Sequence, residues 1–569
     1  MSTSPTPPSR KAIASFDRRT ALRGGLTAIG ASTLPLPAWG AGQGLHNAAK
    51  GFGTLSGEVI DLSIDRAHFT TGGRSGHAVA VNGTIPGPLI RLREGQDVTI
   101  NVANRLDEDS SIHWHGMLVP FQFDGVPGVS FPGIGPRDSF TYRFPVRQAG
   151  TYWWHSHSGL QEQIGHYGPL IIDPAAADPH EYDREFVLIL SEFTPHHPHT
   201  IMRNLKVGEH YYNRQMMTLN EGGMTLGDRL TWGRMRMNPR DISDVTGAEY
   251  AYLINGHGPA DDLELLFQAG ERVRLRIING SAMTFFNIRI PGTEMTVVQA
   301  DGQDVAPVAI DEFQIGVAET YDVIVSPKAG AHVIVAEAID RSGMGIASLT
   351  SMAGHRTEPP ALREPVTLTM ADMGMMAEHA DMDHSMRDKS AVPETVNVGA
   401  GVDMIAPMPM DRMDFPGLGL DKTGHRVLRY TDLKALRPNP VRPPERQMEI
   451  HLTGNMERYM WSFDGQKLNA VSDHPIRFAF DERVRVKLVN DTMMAHPIHL
   501  HGHFFELVNG ADDAHQPLKH TLIVQPGGTA TFDLTANEPG DWAFHCHLLY
   551  HMHSGMFQVV TVRPLDGAR

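Results

Sequence analysis

EGQDVTINVAN (94–104), AGERVRLRIIN (269–279) and FDERVRVKLVN (480–490) are three copies of one pattern: a turn, an alternating strand and a closing asparagine. Alternation of apolar and polar residues puts one face of a strand inside and the other outside. Outside these segments, short β-branched runs broken by Gly, Pro and Asn dominate, and helical periodicity is confined to brief patches. That predicts an all-β chain of β-sandwich domains. The length, 569 residues, accommodates three of them.

Counting nine residues on from each asparagine gives His113, Ile288 and His499, and two further on His115, Ile290 and His501. A second template behaves alike. GTYWWHSH (150–157) and GDWAFHCH (540–547) place a His-x-His five residues after a glycine, whereas GAHVIVAE (330–337) has Val335 and Glu337 there. The spacing predicts domains at 50–175, 180–345 and 425–565. Between the last two, residues 346–424 are rich in Met, Pro, Gly and Asp and lack strand periodicity, which predicts a long flexible insertion.

Residues i and i+2 of a strand share a face, so each His-x-His aims two imidazoles at one site. The pairs His113/His115, His155/His157, His499/His501 and His545/His547 supply eight ligands, enough for a metal cluster between the first and third domains. Cys546, the one cysteine of the chain, then faces the interior of its own domain. There it can join His496, His551 and Met556. Two imidazoles, a thiolate and a weak axial thioether make the ligand set of a blue-copper electron-transfer site. Zinc does not favour the thioether, and a thiol nucleophile has no use for eight paired histidines.

Composition narrows the function further. A single cysteine excludes an internal disulfide. The formal charge of −16 argues against nucleic acid and favours cations as partners. No stretch beyond the N-terminal region is long and apolar enough to predict a membrane span. Residues 1–40 run from basic residues through Arg18-Arg19 to a mildly apolar stretch ending in small residues, which predicts a twin-arginine signal peptide.

The motifs HWHG (113–116), HSH (155–157), HPIHLHGH (496–503) and HCHLLYHMHSGM (545–556) resemble those of the multicopper oxidases. The resemblance implies three cupredoxin-like Greek-key sandwiches and four copper ions. Type 1 copper would be held by His496, Cys546, His551 and Met556, and type 2 copper by His113 and His499. His115, His155 and His547 would hold one type 3 ion, and His157, His501 and His545 the other. Electrons would pass from the type 1 site through Cys546 to the cluster, where dioxygen becomes water. Asp124 matches a family acid that aids proton delivery, and also reads as a turn residue before Gly125. The positions flanking His551, where some relatives carry a second acid, are Tyr550 and Met552. His553 receives no role.

The insertion bears on the electron donor. Its densest part carries Met373, Met375, Met376, His379, Met382, His384 and Met386, with Met404, Met408, Met410 and Met413 following. Thioethers select Cu(I). Asp491, Met493 and Met494 are candidate docking ligands beside the type 1 site, and Met235, Met237 and the histidines of TPHHPHT (194–200) are further candidate copper contacts. With GDRLTWGRMRMNP (227–239) and QADGQDVAPVAIDEFQIGVAETYDVIV (299–325), the chain is similar to the bacterial copper-resistance protein A family. That implies a monomeric periplasmic oxidase taking Cu(I) to Cu(II) with dioxygen, with periplasmic copper carriers as partners. Two alternatives remain open: a laccase-like phenol oxidase, and a copper-sequestering protein acting through its Met-rich segment.

Overall fold

The computed structural model describes residues 46–218, 224–261, 263–373, 392–467 and 475–564. The signal-peptide region 1–40 and Met375, Met376, His379, Met382, His384 and Met386 lie outside them. Six sheets make three two-sheet sandwiches. The repeated strand holds the same place in each. Asp97–Asn104 runs parallel to Val59–Thr71 and antiparallel to Ser139–Pro145. Val273–Asn279 lies likewise between Arg184–Phe193 and Thr320–Val325. Arg483–Asn490 lies between Arg446–Asn455 and Gly528–Thr535. No helix among the described residues is long and apolar enough to cross a membrane.

The closing asparagine is the corner of each sandwich. The side-chain amide of Asn104 donates to the carbonyls of Glu108 and Ile134, that of Asn279 to Thr284 and Ile315, and that of Asn490 to Met494 and Val524. Each side-chain oxygen accepts the N–H two residues on. These bonds satisfy buried backbone groups where the chain leaves the sheet.

The same bonds expose a slip in the counted repeat. The amide of Asn104 and of Asn490 reaches a carbonyl four residues on, that of Asn279 one five residues on. The middle loop is therefore one residue longer. His113 stands opposite His155 and His499 opposite His545, but Arg289, not Ile288, stands opposite Val335.

The second sheet of each outer sandwich carries the histidines. His113–His115 pairs with Gly150–His155, and His496–Leu500 with Gly540–Cys546. Trp114, between two histidines, is fully buried in the core of its own sandwich, among Tyr142, Phe144 and Ile100. Strand alternation thus separates core from site residue by residue.

The described flanks of the 346–424 segment differ from the expected flexible insertion. Leu368, Met373, Val402, Met404 and Met413 are buried, and Met410–Asp411 adds to the third domain beside Gly528–Thr535. These flanks lack strand periodicity because they pack as irregular chain.

Candidate metal centres

Eight imidazoles converge where the first and third sandwiches meet. Donor nitrogens of His115, His155 and His547 lie within 4.8 Å of one another, as do those of His157, His501 and His545, and those of His113, His499 and His501. Seven of the eight side chains are buried, and His157 is half-buried. Burial, reinforced by neighbouring imidazoles, holds His115, His155, His157, His499, His501 and His547 well below the ordinary histidine value, and burial lowers His545 to about 4. At neutral pH these are neutral imidazoles, the metal-binding form.

Hydrogen bonds on one ring nitrogen dictate which of the two faces inward. His113 Nδ1 lies 2.7 Å from the Asp124 carbonyl, His499 Nδ1 2.7 Å from the His520 carbonyl and His545 Nδ1 2.9 Å from the Cys546 carbonyl. His501 Nδ1 lies 2.9 Å from Asp124 Oδ2, and His155 Nδ1 2.7 Å from Glu162 Oε2. His113, His155, His157 and His499 are left with Nε2, and His115 with Nδ1, buried and without a hydrogen-bond partner among the described residues. An unpaired buried polar atom costs about 1–3 kcal/mol, so this many gathered in neighbouring groups fit bound cations. Borderline-soft imidazole nitrogens suit copper.

The second centre lies within the third domain. Cys546 Sγ is 3.5 Å from His496 Nδ1 and 3.9 Å from His551 Nδ1, and the two nitrogens are 3.2 Å apart. Met556 is fully buried, and its carbonyl accepts the Cys546 N–H. His496 Nε2 meets Thr492 Oγ1 at 2.8 Å and His551 Nε2 meets Asp244 Oδ2 at 2.8 Å, so both Nδ1 atoms point at the sulfur. Burial pushes the Cys546 thiol far above its ordinary value. A thiol this inaccessible is no nucleophile, and a coordinated metal would deprotonate it. The residues therefore fit the expected copper at both centres.

Of the expected acids, Asp124 sits between two cluster histidines, with Oδ1 3.3 Å from His113 Nδ1 and Oδ2 on His501. Asp491 does not face a docking surface. It is fully buried, bonded to His451 Nδ1 at 2.7 Å and to the Ala406 N–H. Met373 and Met494 are buried in the core.

Met493 does line a cavity of about 190 Å³, with Met216, Met237, Met404, Met456, Asp241 and Asp403. Burial, with the neighbouring Asp244, pushes the Asp241 carboxyl up to about 7. Asp244 in turn bonds His551 and the Tyr459 hydroxyl, 2.6 Å away. Trp461 stacks on His551 with centroids 3.8 Å apart.

Sequence reasoning missed Asp244, Glu162 and His520. Asp244 lies in a second-domain loop with no motif. Glu162 lies five residues past His157 in HSHSGLQEQ, its carboxyl held well above the ordinary value by burial and Glu192. His520, also buried, approaches His115 and His499 as a ninth imidazole near the cluster.

Residues 64–177, 184–353 and 441–566 match family models described as multicopper oxidase. The chain is 43% identical to a copper resistance protein A homolog of Pseudomonas syringae pv. tomato, across 92% of this chain and 95% of that one. It is 43% identical to copper resistance protein A of Escherichia coli, across 90% and 93%. The fold is similar to Fet3p, described as a multicopper oxidase that functions in iron import, with a TM-score of 0.64 at 20% identity over 91% and 92% of the chains. The chain belongs to the multicopper oxidases, and within them to the copper-resistance protein A family.

Proposed function

We propose that this enzyme is a periplasmic cuprous oxidase of copper tolerance, coupling one-electron oxidation of Cu(I) to reduction of dioxygen to water. In this reading it carries one type 1, one type 2 and two type 3 copper ions. His496, Cys546, His551 and Met556 hold the first, and His113 and His499 the second. His115, His155 and His547 hold one type 3 ion, and His157, His501 and His545 the other. Periplasmic localisation rests on the twin-arginine pattern of residues 1–40 and on the family.

The observation that carries the reading is the methionine-lined cavity whose Asp241 neighbours Asp244, the hydrogen-bond partner of His551. Thioethers and a carboxylate take Cu(I) in preference to a phenol. When bound, the copper ions supply one-electron oxidation of a donor and four-electron reduction of dioxygen. The chain supplies the rest. Met237, Met404, Met493 and Asp241 receive the substrate ion, and Asp244 fixes the tautomer of His551. Cys546 is bonded through the backbone to His545 and His547, on the opposite strand face, which makes the shortest covalent link between the centres. Asp124 holds or takes up a proton at its carboxylate between His113 and His501.

Met237→Leu/Met404→Leu tests this, because leucine keeps the packing and removes the sulfurs. The KM for Cu(I) rises about tenfold or more, an effect of about 1.4 kcal/mol, while hydroquinone oxidation and the type 1 absorption stay unchanged. An unchanged KM for Cu(I) alongside faster turnover of a phenol would favour the laccase-like reading.

A further inference from the structure

Three imidazoles outside both centres gather on the surface by a cleft that reaches His157. His197 and His199 flank Pro198 at the start of the helix Pro198–Val207. Their rings are near-parallel, 18° apart, with centroids 5.3 Å apart. His553, at the end of the helix Leu549–His553, brings a third ring to 6.4 Å from His199. His196 is engaged elsewhere, its Nδ1 2.6 Å from Glu249. His197, His199 and His553 are exposed; His197 caps the helix, its Nδ1 accepting the His199 N–H at 3.3 Å, which leaves its Nε2 free to face outward.

What lies beneath gives them meaning. A cleft of about 300 Å³ is lined at its mouth by His197, His199, Glu108 and Asp109, and at its floor by Gln161 and His157. Glu108 and Asp109 are exposed, whereas Gln161 is buried. His157 is the one cluster histidine that is not buried. The cleft therefore joins bulk solvent to a ligand of the trinuclear site. Its mouth offers two imidazoles and two carboxylates, with a third imidazole, His553, beyond His199. Nitrogen donors with a carboxylate suit late divalent ions such as Cu(II), Ni(II) and Zn(II), and thioether donors, which prefer Cu(I), are absent from this rim. Exposed side chains change rotamer on the picosecond-to-nanosecond scale, so the rings can close on an ion without moving the backbone.

We infer that His197 and His199, with Glu108 or His553 completing the set, bind a late divalent metal ion that narrows the cleft over His157. The ion suited to this place in the cell is Cu(II), the product under the proposed function, so the site would slow the enzyme as product accumulates. This physiological role rests on that function, whereas the metal site itself does not.

The test uses Zn(II), which undergoes no redox chemistry, on the full-length copper-loaded protein and on His197→Gln/His199→Gln. Equilibrium dialysis counts the retained zinc. Reoxidation of the chemically reduced protein by dioxygen, followed through the return of type 1 absorption, reads access to the cluster without any donor substrate. The wild type should retain one more zinc ion than the variant, and zinc should slow its reoxidation several-fold while leaving the variant unaffected. Equal zinc retention by both proteins overturns the site. Extra zinc with unchanged reoxidation overturns its control of the cleft. Neither outcome depends on whether Cu(I) is the donor.

Discussion

The second domain and its two neighbours share one sandwich and put opposite chemistry at the same places. Where the outer domains set His113 opposite His155 and His499 opposite His545, the middle one sets Arg289 opposite Val335. Two residues further on, where His157 and His547 lie, it has Glu337, and Arg289 Nη1 stands 3.0 Å from Glu337 Oε2. Arg363, from the segment after the second domain, bonds Glu337 with both its backbone N–H and its guanidinium, and also bonds Glu312. The lesson concerns the positions rather than the residues. This pair of strands buries polar side chains that need a partner. In the middle domain the partner is an opposite charge, and in the outer domains it is a cation the chain does not encode.

The comparison breaks first at the cluster. Asp124→Asn keeps the contact to His501 but removes the carboxylate, and general acid–base groups contribute about 10²–10⁴-fold. Oxygen uptake should fall about a hundredfold with any donor, while copper content, measured by atomic absorption, stays that of the wild type. Loss of copper instead would make Asp124 a structural residue of the site.

In the middle domain the expected effect is on stability and not on turnover. Glu337→Gln removes one of the two carboxylates that Arg289 and Arg363 share, leaving them Glu312, and breaking a buried pair from one side costs up to about 3–5 kcal/mol. The denaturation midpoint should drop markedly while copper content and type 1 absorption are unaffected. A variant that loses copper as well would show that the middle domain helps to build the cluster.

The smallest effect is a matter of pH. Burial lowers His166, which is outside both sets of candidate ligands, from 6.5 to about 3. Its folded value lies below the unfolded one, so the unfolded chain binds the extra proton. The stability of the neutral ring is complete above 6.5 and is lost as pH falls toward 3. His166→Gln should flatten the acid limb of stability by up to about 1.4 kcal/mol per pH unit. A slope unchanged by the substitution would mean the ring is not held neutral.

The histidine pairs and Cys546 of the candidate centres were legible in the sequence because they sit on or at the ends of paired strands, where period-2 spacing fixes which residues share a face, whereas His551, on the helix Leu549–His553, and Met556, in the loop after it, were legible only through their motif. The closing asparagines made the repeat visible for a physical reason, since each ties down a sandwich corner. The same counting failed by one residue at Ile288 because the loop after Asn279 is longer, and a loop length leaves no mark on strand alternation. Asp244 and the methionine cavity were not legible. Met216, Met237, Met404, Met456 and Met493 come from separate segments, and only tertiary packing brings them together. Asp491 misled for the converse reason: it is close to the type 1 ligands in sequence, yet turned toward His451.

The central claim is tested most directly by counting Cu(I) oxidised per dioxygen consumed by the copper-loaded enzyme, with Cys546→Ser as the control. Reduction to water takes four electrons and four protons, so the account predicts four Cu(I) per dioxygen, no hydrogen peroxide, and no catalysed uptake by the serine variant. Two Cu(I) per dioxygen with peroxide released, or equal rates from Cys546→Ser, would contradict it.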